Sequence, residues 1–249
     1  MSTIHYYDNF EGSLRLKGMH YLDALAALHN YLEPATYLEI GTSRGKSLRA
    51  AACVSVAIDP AFDLDGDVVG KKPALHLLRS TSADAFQSGI LDTLLPGGAD
   101  LIFLDGLHSI EAIYDDFLGA ERLCHANTVI AVHDVLPVDV EMTGSAPGGP
   151  RKDASTASWW TGDVWKIVPI LREHRPDLKI TAVDCHPTGL LIVQRPDSLN
   201  RVLTDRRNQI LQKWRNMDLQ KFGLSQLYRL ACIVPILDPS QLAEQLAIR

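Results

Sequence analysis

The chain contains 249 residues, of which 46% are hydrophobic and 22% charged, and its formal net charge is −6. This composition indicates a globular protein with one large domain, or one domain with an appendage, and the negative charge disfavours a general nucleic-acid binder. No apolar run approaches the roughly 18 residues of a membrane helix, and the first residues lack the apolar core of a secretory signal. We therefore expect a cytoplasmic protein with no membrane or nucleic-acid partner, and its widely spaced cysteines fit reduced thiols.

The hydrophobic pattern predicts helices and strands in alternation. A first helix is expected over residues 17–32, where apolar side chains recur at helical spacing ahead of Pro34. The predicted strands that follow cover residues 37–40, 54–59, 75–78, 101–105 and 128–133, and the predicted helices between them cover residues 46–53, 83–94 and 110–124. Short apolar strands that alternate with helices indicate a parallel, doubly wound sheet with helices on both faces.

Two later apolar runs, residues 180–183 and 190–193, are joined by a connection short enough for a hairpin, so we expect an antiparallel pair that closes the sheet. The predicted fold class is α/β: a doubly wound, mostly parallel, seven-stranded sheet with an antiparallel last strand and a C-terminal helical extension. The predicted organisation is an N-terminal helical segment over residues 1–36, a central domain over residues 37–196 and the extension over residues 197–249.

Residues 137–162 interrupt the alternation with a segment rich in Gly, Pro, Ser and Thr that ends in the letters SWWTG. Long irregular segments inside a domain are usually either functional or disordered. This one follows the fifth strand, at the edge where doubly wound sheets bind ligands. We interpret it as a cover over the active site, in which Trp159 and Trp160 form a wall or anchor the loop; a disordered surface excursion is the alternative.

From residue 200 the sequence has a helical pattern and is locally basic. One interpretation is a single solvated helix face, because charge runs are usually exposed. The other is a contact between subunits, because the segment carries more apolar surface than an exposed tail needs; it predicts a homo-oligomer. The apolar residues concerned are Leu211, Trp214, Leu219, Phe222, Leu224, Leu227 and Tyr228.

The segment YLEIGTSRGKS, residues 37–47, is similar to the phosphate-binding loop of an ATPase, but its spacing differs. Such a loop has four residues between its first glycine and its Gly-Lys pair, whereas three separate Gly41 from Gly45. Backbone N–H groups converge on one phosphate only at the correct loop length. A P-loop NTPase is therefore disfavoured, and Glu39 disfavours it further by placing a carboxylate near a polyphosphate.

The same letters suit a positively charged nucleotide. Gly41 and Gly45 let the backbone turn sharply and approach a ligand, and the carboxylate of Glu39 suits a cation. Asp59 ends the second strand, near the offset at which an acidic residue binds ribose hydroxyls in such folds, and the residues after the third strand are expected to meet an adenine edge. A cationic adenosine ligand of this kind is S-adenosylmethionine. The residues predicted to bind it are Glu39, Gly41, Thr42, Ser43, Gly45, Ser47, Asp59, Ser82, Ala83, Asp84 and Asp105.

Four polar residues follow two successive strands. Asp105 ends the fourth strand and His108 comes three residues later, while His133 and Asp134 end the fifth. Tips of adjacent parallel strands lie about 4.8 Å apart, so these side chains can share a cation. Two carboxylates with an imidazole are a plausible site for Mg²⁺ or Mn²⁺. For each residue alone a cap or a helix-end hydrogen bond is the alternative, but the set of four favours a functional site.

Taken together, these motifs make residues 37–193 resemble the class I S-adenosylmethionine-dependent methyltransferases. The Asp-x-x-His spacing and the acidic pair on the next strand resemble the metal-dependent sugar O-methyltransferases of the macrocin type and the related cephalosporin-hydroxylase-like proteins. The resemblance implies a Rossmann-like methyltransferase fold, metal ligands at Asp105, His133 and Asp134, and a general base at His108. The chain departs from that group at His133, where Glu is common. Imidazole suits Mg²⁺ less well, so a metal-free centre, Mn²⁺, or His133 as the base are the alternatives.

The expected function is transfer of a methyl group from S-adenosylmethionine to a hydroxyl, with Asp105, His108 and His133 as catalytic residues. A hydroxyl is a poor nucleophile, so a cation that lowers its pKa and a base that removes its proton both help. The resemblance favours a sugar or a small natural product as acceptor. The alternatives are a hydroxylase-like or hydrolase-like protein on the same scaffold and a nucleotide-binding protein without catalysis. Asp115 and Asp116 are expected on an exposed helix face, with no role in the chemistry.

Overall fold

Seven strands form one mixed sheet in the computed structural model, which describes residues 16–149, 151–234, 238, 241 and 242. The strands are β1 Thr36–Ile40, β2 Val54–Ile58, β3 Leu75–Leu78, β4 Ala99–Leu104, β5 Cys124–His133, β6 Lys179–Val183 and β7 Leu190–Gln194. Their order across the sheet is β3-β2-β1-β4-β5-β7-β6. β7 runs antiparallel to both of its neighbours, and the other pairs are parallel. The predicted seven-stranded α/β sheet with an antiparallel last strand is confirmed.

Helices cover both faces of the sheet. They are α1 Tyr21–Leu32, α2 Ser82–Ser88, α3 Ile90–Leu94, α4 Ile110–Arg122, α5 Ile167–His174, α6 Val202–Trp214, α7 Leu219–Phe222 and α8 Leu224–Ala231. Gly89, with a φ of 73°, divides the helix predicted over residues 83–94 into α2 and α3. The helix predicted over residues 46–53 is wrong, because only a 3₁₀ turn, Leu48–Ala50, forms before the chain enters β2.

The alternation of side chains along the strands separates two hydrophobic layers. On one face, Leu38 and Ile40 of β1 belong to a buried cluster that includes residues of α4, α5 and the C-terminal helices. On the other face, Tyr37 belongs to a second cluster with Leu25 and Leu28 of α1. Burial on both faces explains why the central strands are almost continuously apolar.

The apolar residues that suggested a subunit contact pack on their own domain. Those that are buried are Leu211, Trp214, Leu219, Leu227 and Tyr228, and Phe222 and Leu224 lie against the same cluster. Trp214 meets the fully buried Trp165 edge to face, with 6.3 Å between ring centroids. The homo-oligomer therefore stays a prediction, and this apolar surface no longer supports it.

The N-terminal segment contributes α1, which packs on the second face of the sheet. Residues 1–15 of that predicted segment, and residues 243–249 of the predicted extension, lie outside the described residues. Within the described ranges, no helix has the length and apolar character needed to cross a bilayer. Three of the cysteines, Cys53, Cys124 and Cys185, are buried free thiols, whereas Cys232 is exposed.

Candidate active site

The ends of β4 and β5 bring the predicted catalytic residues together. These strands are parallel neighbours in which Leu104 lies opposite Val132. Asp105 and His133 therefore leave the sheet at the same edge. Asp134 follows with a φ of 61°, in the left-handed region that residues other than glycine rarely adopt. Unusual backbone of this kind is concentrated at functional sites.

Short distances join two carboxylates and two imidazoles at this edge. His108 Nε2 lies 3.1 Å from Asp134 Oδ2 and 3.8 Å from Asp105 Oδ1. His133 Nδ1 lies 3.1 Å from Asp105 Oδ1 and 3.4 Å from Asp134 Oδ2. Asp105, His108 and Asp134 also offer one donor atom each, all within 4.8 Å of one another, as a metal ion would require. We call these four residues the acidic centre.

Hydrogen bonds from outside the acidic centre orient both imidazoles. His108 Nδ1 lies 2.8 Å from the carbonyl oxygen of Trp160. Because a carbonyl only accepts, Nδ1 carries a proton, so Nε2 is the nitrogen that gains or loses one: it has the lone pair in the neutral ring and donates to the carboxylates in the protonated ring. The hydroxyl of Thr188 donates to Asp134 Oδ1 over 2.5 Å and lies 3.4 Å from His133 Nε2, from which it can accept.

Burial and neighbouring charges act in opposite directions on these groups. Burial alone would lower the pKa of His133, but the carboxylates of Asp134 and Asp105 raise it to about 10. The pKa of His108 is also raised, since its bonds to the same two carboxylates outweigh burial. Burial would raise the pKa of Asp105, yet the two imidazoles hold it below its usual range. Both imidazoles therefore favour their protonated form beside the carboxylates.

Both glycines of the loop after β1 adopt positive φ angles, +86° at Gly41 and +74° at Gly45. An ideal Cβ on Gly41 would lie 1.9 Å from the backbone carbonyl oxygen of Asp105, and one on Gly45 would lie 2.6 Å from a Val68 methyl group. A side chain at Gly41 is therefore excluded by the backbone of the acidic centre. The loop and the centre are adjacent surfaces of one site.

Asp59 directly follows β2 and is buried. Its carboxylate accepts hydrogen bonds from the backbone N–H groups of Ser43 and Ala61, each at 2.7 Å. Ser43 itself has a φ of 47°. The carboxylate thus holds the loop in its unusual conformation, and each of its oxygens retains a lone pair that can meet a ribose hydroxyl.

The residues after β3, which were predicted to contact adenine, form the start of α2. Thr81 accepts a hydrogen bond from the N–H of Asp84 at 3.1 Å and donates to its carboxylate at 2.7 Å, so the Asp84 side chain already has a local partner. Ser82 is half-buried, whereas Ala83 and Asp84 are exposed. The expectation that Asp116 is exposed is wrong: it is buried, its carboxyl bonds to Ser82, and burial raises its pKa to about 6.

A cavity of about 260 Å³ opens between the glycine loop and the acidic centre. Its lining residues are Tyr21, Gly41, Thr42, Ser43, Arg44, Lys46, Ser47 and Asp105. Glu39, just before the loop, is fully buried, and burial raises its pKa to about 7 although the Tyr37 hydroxyl donates to it over 2.7 Å. Glu39 Oε1 and Thr42 Oγ1 are buried and neither has a hydrogen bond of good geometry among the described residues, although the side chains of Thr42 and Ser47 are close enough to Glu39 to lower its pKa. Such atoms are unusual unless a ligand or water satisfies them.

Residues 38–135, which include the glycine loop and the whole acidic centre, match a family model described as a methyltransferase domain. Over these residues the chain is similar to methyltransferase domains. The predicted class is thereby confirmed, whereas the macrocin-type group within it is not identified by this match.

Two solved structures are similar to this chain. An O-methyltransferase from Bacillus cereus in complex with SAH is 17% identical, with 70% of this chain and 79% of that chain covered and a TM-score of 0.50. A putative O-methyltransferase from Klebsiella pneumoniae is 18% identical, with 77% and 86% covered and a TM-score of 0.48. The sequence matches no curated protein.

The structure also places at the site three residues that belong to none of the motifs. Tyr21, at the start of α1, lines the cavity and stacks on His133 with 4.0 Å between ring centroids. The ring of Trp160 stacks on that of His108, with 4.7 Å between centroids, and the Trp160 carbonyl accepts a hydrogen bond from His108 Nδ1–H. Thr188 comes from the connection between β6 and β7. Only Trp160 had a sequence signal, because its segment was predicted to cover the site.

Proposed function

We propose that the domain transfers a methyl group from S-adenosylmethionine to a hydroxyl of a small-molecule acceptor. One observation carries the proposal: His108 Nδ1 is bonded to the Trp160 carbonyl, so that Nε2 is the nitrogen that exchanges a proton, and Nε2 lies beside Asp105 and Asp134 next to the glycine loop. A positioned imidazole is the commonest acceptor of a proton from a reacting hydroxyl. S-adenosylmethionine supplies an electrophilic methyl group on a positively charged sulfonium.

In this proposal His108 accepts the hydroxyl proton at Nε2 while its Nδ1 proton remains bonded to the Trp160 carbonyl. Asp134 and Asp105 stabilise the imidazolium that results, in keeping with the direction in which they move the pKa of His108. The same effect requires a pH high enough for a neutral ring. Activity should therefore fall as the pH decreases through the pKa of His108.

We assign the amino-acid end of the cofactor to the cavity beside the glycine loop. Glu39 and the cavity-lining Thr42 support this assignment, because a carboxylate and a hydroxyl together can accept the protons of an ammonium group and neither oxygen has a well-formed hydrogen bond of its own. Asp59 has lone pairs for the ribose, and half-buried Ser82 is the strongest adenine contact of its stretch. Ala83 and Asp84 remain predicted contacts with weaker support, since Asp84 caps α2. The remaining predicted cofactor-binding residues also lie at this site. Three of them line the cavity, Ser43, Ser47 and Asp105, and the other two are the closely packed Gly41 and Gly45.

We further propose that a divalent cation assists, with Asp105, Asp134 and His133 as its protein ligands, as the resemblance implies. The chemistry of the donors fits Mn²⁺ better than Mg²⁺, because an imidazole joins the carboxylates. A cation held by these residues would lower the pKa of the acceptor hydroxyl. The alternative third ligand is His108, whose Nε2 belongs to the set of donor atoms within 4.8 Å. His108 cannot be ligand and proton acceptor at once, since both roles use the same lone pair.

Titration with Mn²⁺ separates these two ligand sets. If His133 is the ligand, His133→Gln should weaken Mn²⁺ binding by at least about tenfold, whereas His108→Gln and the distant control His125→Gln should bind as the wild type does. The opposite ranking of His108 and His133 would move the third ligand to His108 and the proton-acceptor role to His133. A wild-type protein that binds no Mn²⁺ would contradict cation assistance.

Binding and turnover test the function itself. Calorimetry should detect binding of S-adenosylmethionine and of S-adenosylhomocysteine (SAH), and no binding of ATP. With labelled S-adenosylmethionine and a panel of sugars, catechols and phenols, wild type and His125→Gln should methylate a common acceptor, while His108→Gln should lose about 10²- to 10⁴-fold in rate with unchanged affinity for SAH. Binding without transfer to any acceptor would favour a non-catalytic nucleotide-binding protein, and preference for ATP would refute the proposal.

For the acceptor we propose a ring-bearing molecule such as a sugar or a small natural product. The rings of Trp160 and Tyr21 lie beside the acidic centre, each stacked on one of its imidazoles, and Trp159 stands nearby against His186 at 4.9 Å. Aromatic side chains at the entrance of a site suit the flat face of a ring. Methylation confined to flexible, open-chain alcohols in the acceptor panel would contradict this part of the proposal.

A further inference from the structure

Residues 137–162, the predicted cover, fold around one buried arginine. The side chain of Arg151 is only 4% exposed. Its Nη2 donates to Asp139 Oδ2 at 2.8 Å and to Thr156 Oγ1 at 2.9 Å, and its Nη1 donates to the carbonyl oxygen of Trp159 at 3.3 Å. The guanidinium thus joins the start of the segment, a 3₁₀ turn near its middle and its aromatic end. A planar fork of donors is suited to several acceptors in fixed directions.

Further bonds tie the two limbs of the segment together around this contact. Asp139 Oδ1 accepts from the N–H of Met142 at 3.0 Å, and the Met142 carbonyl accepts from the N–H groups of Thr161 and Gly162 at 3.0 and 3.1 Å. Trp160 Nε1 donates to the carbonyl of Gly144 at 2.7 Å. The position of the Trp159–Trp160 backbone is therefore set from within the segment.

The end of the segment holds His108 from two sides. The Trp160 carbonyl lies 2.8 Å from His108 Nδ1, and the N–H of Asp163 donates to the His108 carbonyl at 3.0 Å. Between these contacts Gly162 has a φ of +50°, and an ideal Cβ on it would lie 2.1 Å from the His108 carbonyl oxygen. Any displacement of the Trp160 backbone would therefore shift the His108 ring or lengthen its hydrogen bond.

We propose that Arg151 is a positioning residue for His108, acting through the Trp159–Trp160 backbone. Arg151 donates a hydrogen bond to the Trp159 carbonyl, and the adjacent Trp160 carbonyl accepts one from His108 Nδ1. The second bond keeps the proton on Nδ1, so that Nε2 is the nitrogen left to accept a proton. Hydrogen bonds from a charged donor are stronger than neutral ones, and exclusion of water strengthens them further. The catalytic relevance of this contact rests on the role proposed above for His108, whereas the contact itself can be tested without cofactor or acceptor.

The test is the exchange rate of the His108 Nδ1 proton in the full-length protein, measured by NMR and assigned by its loss in His108→Gln. In Arg151→Ala we expect exchange to accelerate by about tenfold or more, as loss of one hydrogen bond would give. The matched control is Lys152→Ala, which removes the same charge from the next residue, because the Lys152 side chain is 95% exposed. It should leave the exchange rate unchanged.

Arg151→Lys keeps the charge but loses the fork, and its exchange rate should lie between those of wild type and Arg151→Ala. This variant also decides the matter if Arg151→Ala does not fold: faster exchange than wild type supports the proposal, and the wild-type rate overturns it. Equal acceleration in Lys152→Ala would likewise overturn it. SAH binding is measured in parallel. If wild type does not bind SAH, the proposed function fails while the exchange result stands.

Discussion

The pH dependence of cofactor binding tests the role assigned to Glu39. Burial raises the pKa of this carboxyl to about 7, so in the free protein it is mostly neutral below pH 7 and ionised above it. The ammonium group of SAH should bind the ionised form, and affinity should rise with pH. From about pH 5.5 to about pH 7.5, the ionised fraction of such a group rises about 25-fold. The dissociation constant of SAH should fall by the same factor.

Calorimetric titration of SAH across this window gives the measurement. Glu39→Gln, which cannot ionise, should bind more weakly at pH 7.5 and show no such dependence. Glu33→Gln is the matched control, because Glu33 is exposed at the end of α1, and it should keep the wild-type slope. A dissociation constant that is constant for wild type, or an equal slope in Glu39→Gln, would refute the assignment of the ammonium group to this carboxylate.

Three further changes test the packing around the site by urea unfolding. Gly162→Ala should cost about 1 to 3 kcal/mol because of its positive φ and the overlap with the acidic centre, whereas Gly149→Ala, with open space around it, should be neutral; equal effects would refute this. Asp116→Asn should stabilise by up to about 3 kcal/mol at pH 8, because a pKa raised from 3.8 to about 6 disfavours the ionised folded state. That gain should shrink towards pH 4, where the carboxyl is neutral when folded, and a gain independent of pH would contradict it. Trp214→Ala should cost about 3 to 5 kcal/mol if the C-terminal helices share the core of the domain, and a neutral effect would show that they do not.

The strand ends could be predicted because periodicity locates them directly. Asp105, His133 and Asp134 come immediately after apolar runs, and parallel strands of one sheet end at the same edge. The sequence also predicted that the position of Gly41 requires a glycine, but for a different neighbour. Its missing side chain makes room for the backbone of Asp105, whereas the sequence had suggested only the approach of a ligand.

The hydrophobic pattern shows that a helix face is buried, but it does not show what packs against that face. The apolar residues of α6 and α8 need a partner, and a second subunit or the same chain would satisfy the pattern equally well. Asp116 was misjudged for the converse reason, because a carboxyl on a helix normally faces solvent and its partner Ser82 lies on another helix. The sequence also predicts a helix over residues 46–53, yet Leu48 and Ala51 enter the core from a single 3₁₀ turn.

The division of roles within the acidic centre depends on a finer scale than strand order can provide. Neighbouring strands are about 4.8 Å apart, and this spacing is enough to predict that four side chains meet. Whether an imidazole is a ligand or a proton acceptor depends instead on which of its nitrogens is protonated, and hydrogen bonds of about 2.8 Å decide that. For His108 the deciding partner is the carbonyl of a residue 52 positions away, and for Asp134 it is a hydroxyl 54 positions away. A backbone carbonyl has no residue identity that a sequence pattern could detect. In the proposed mechanism, residues 137–162 and Arg151 within them therefore supply what the motifs leave undetermined.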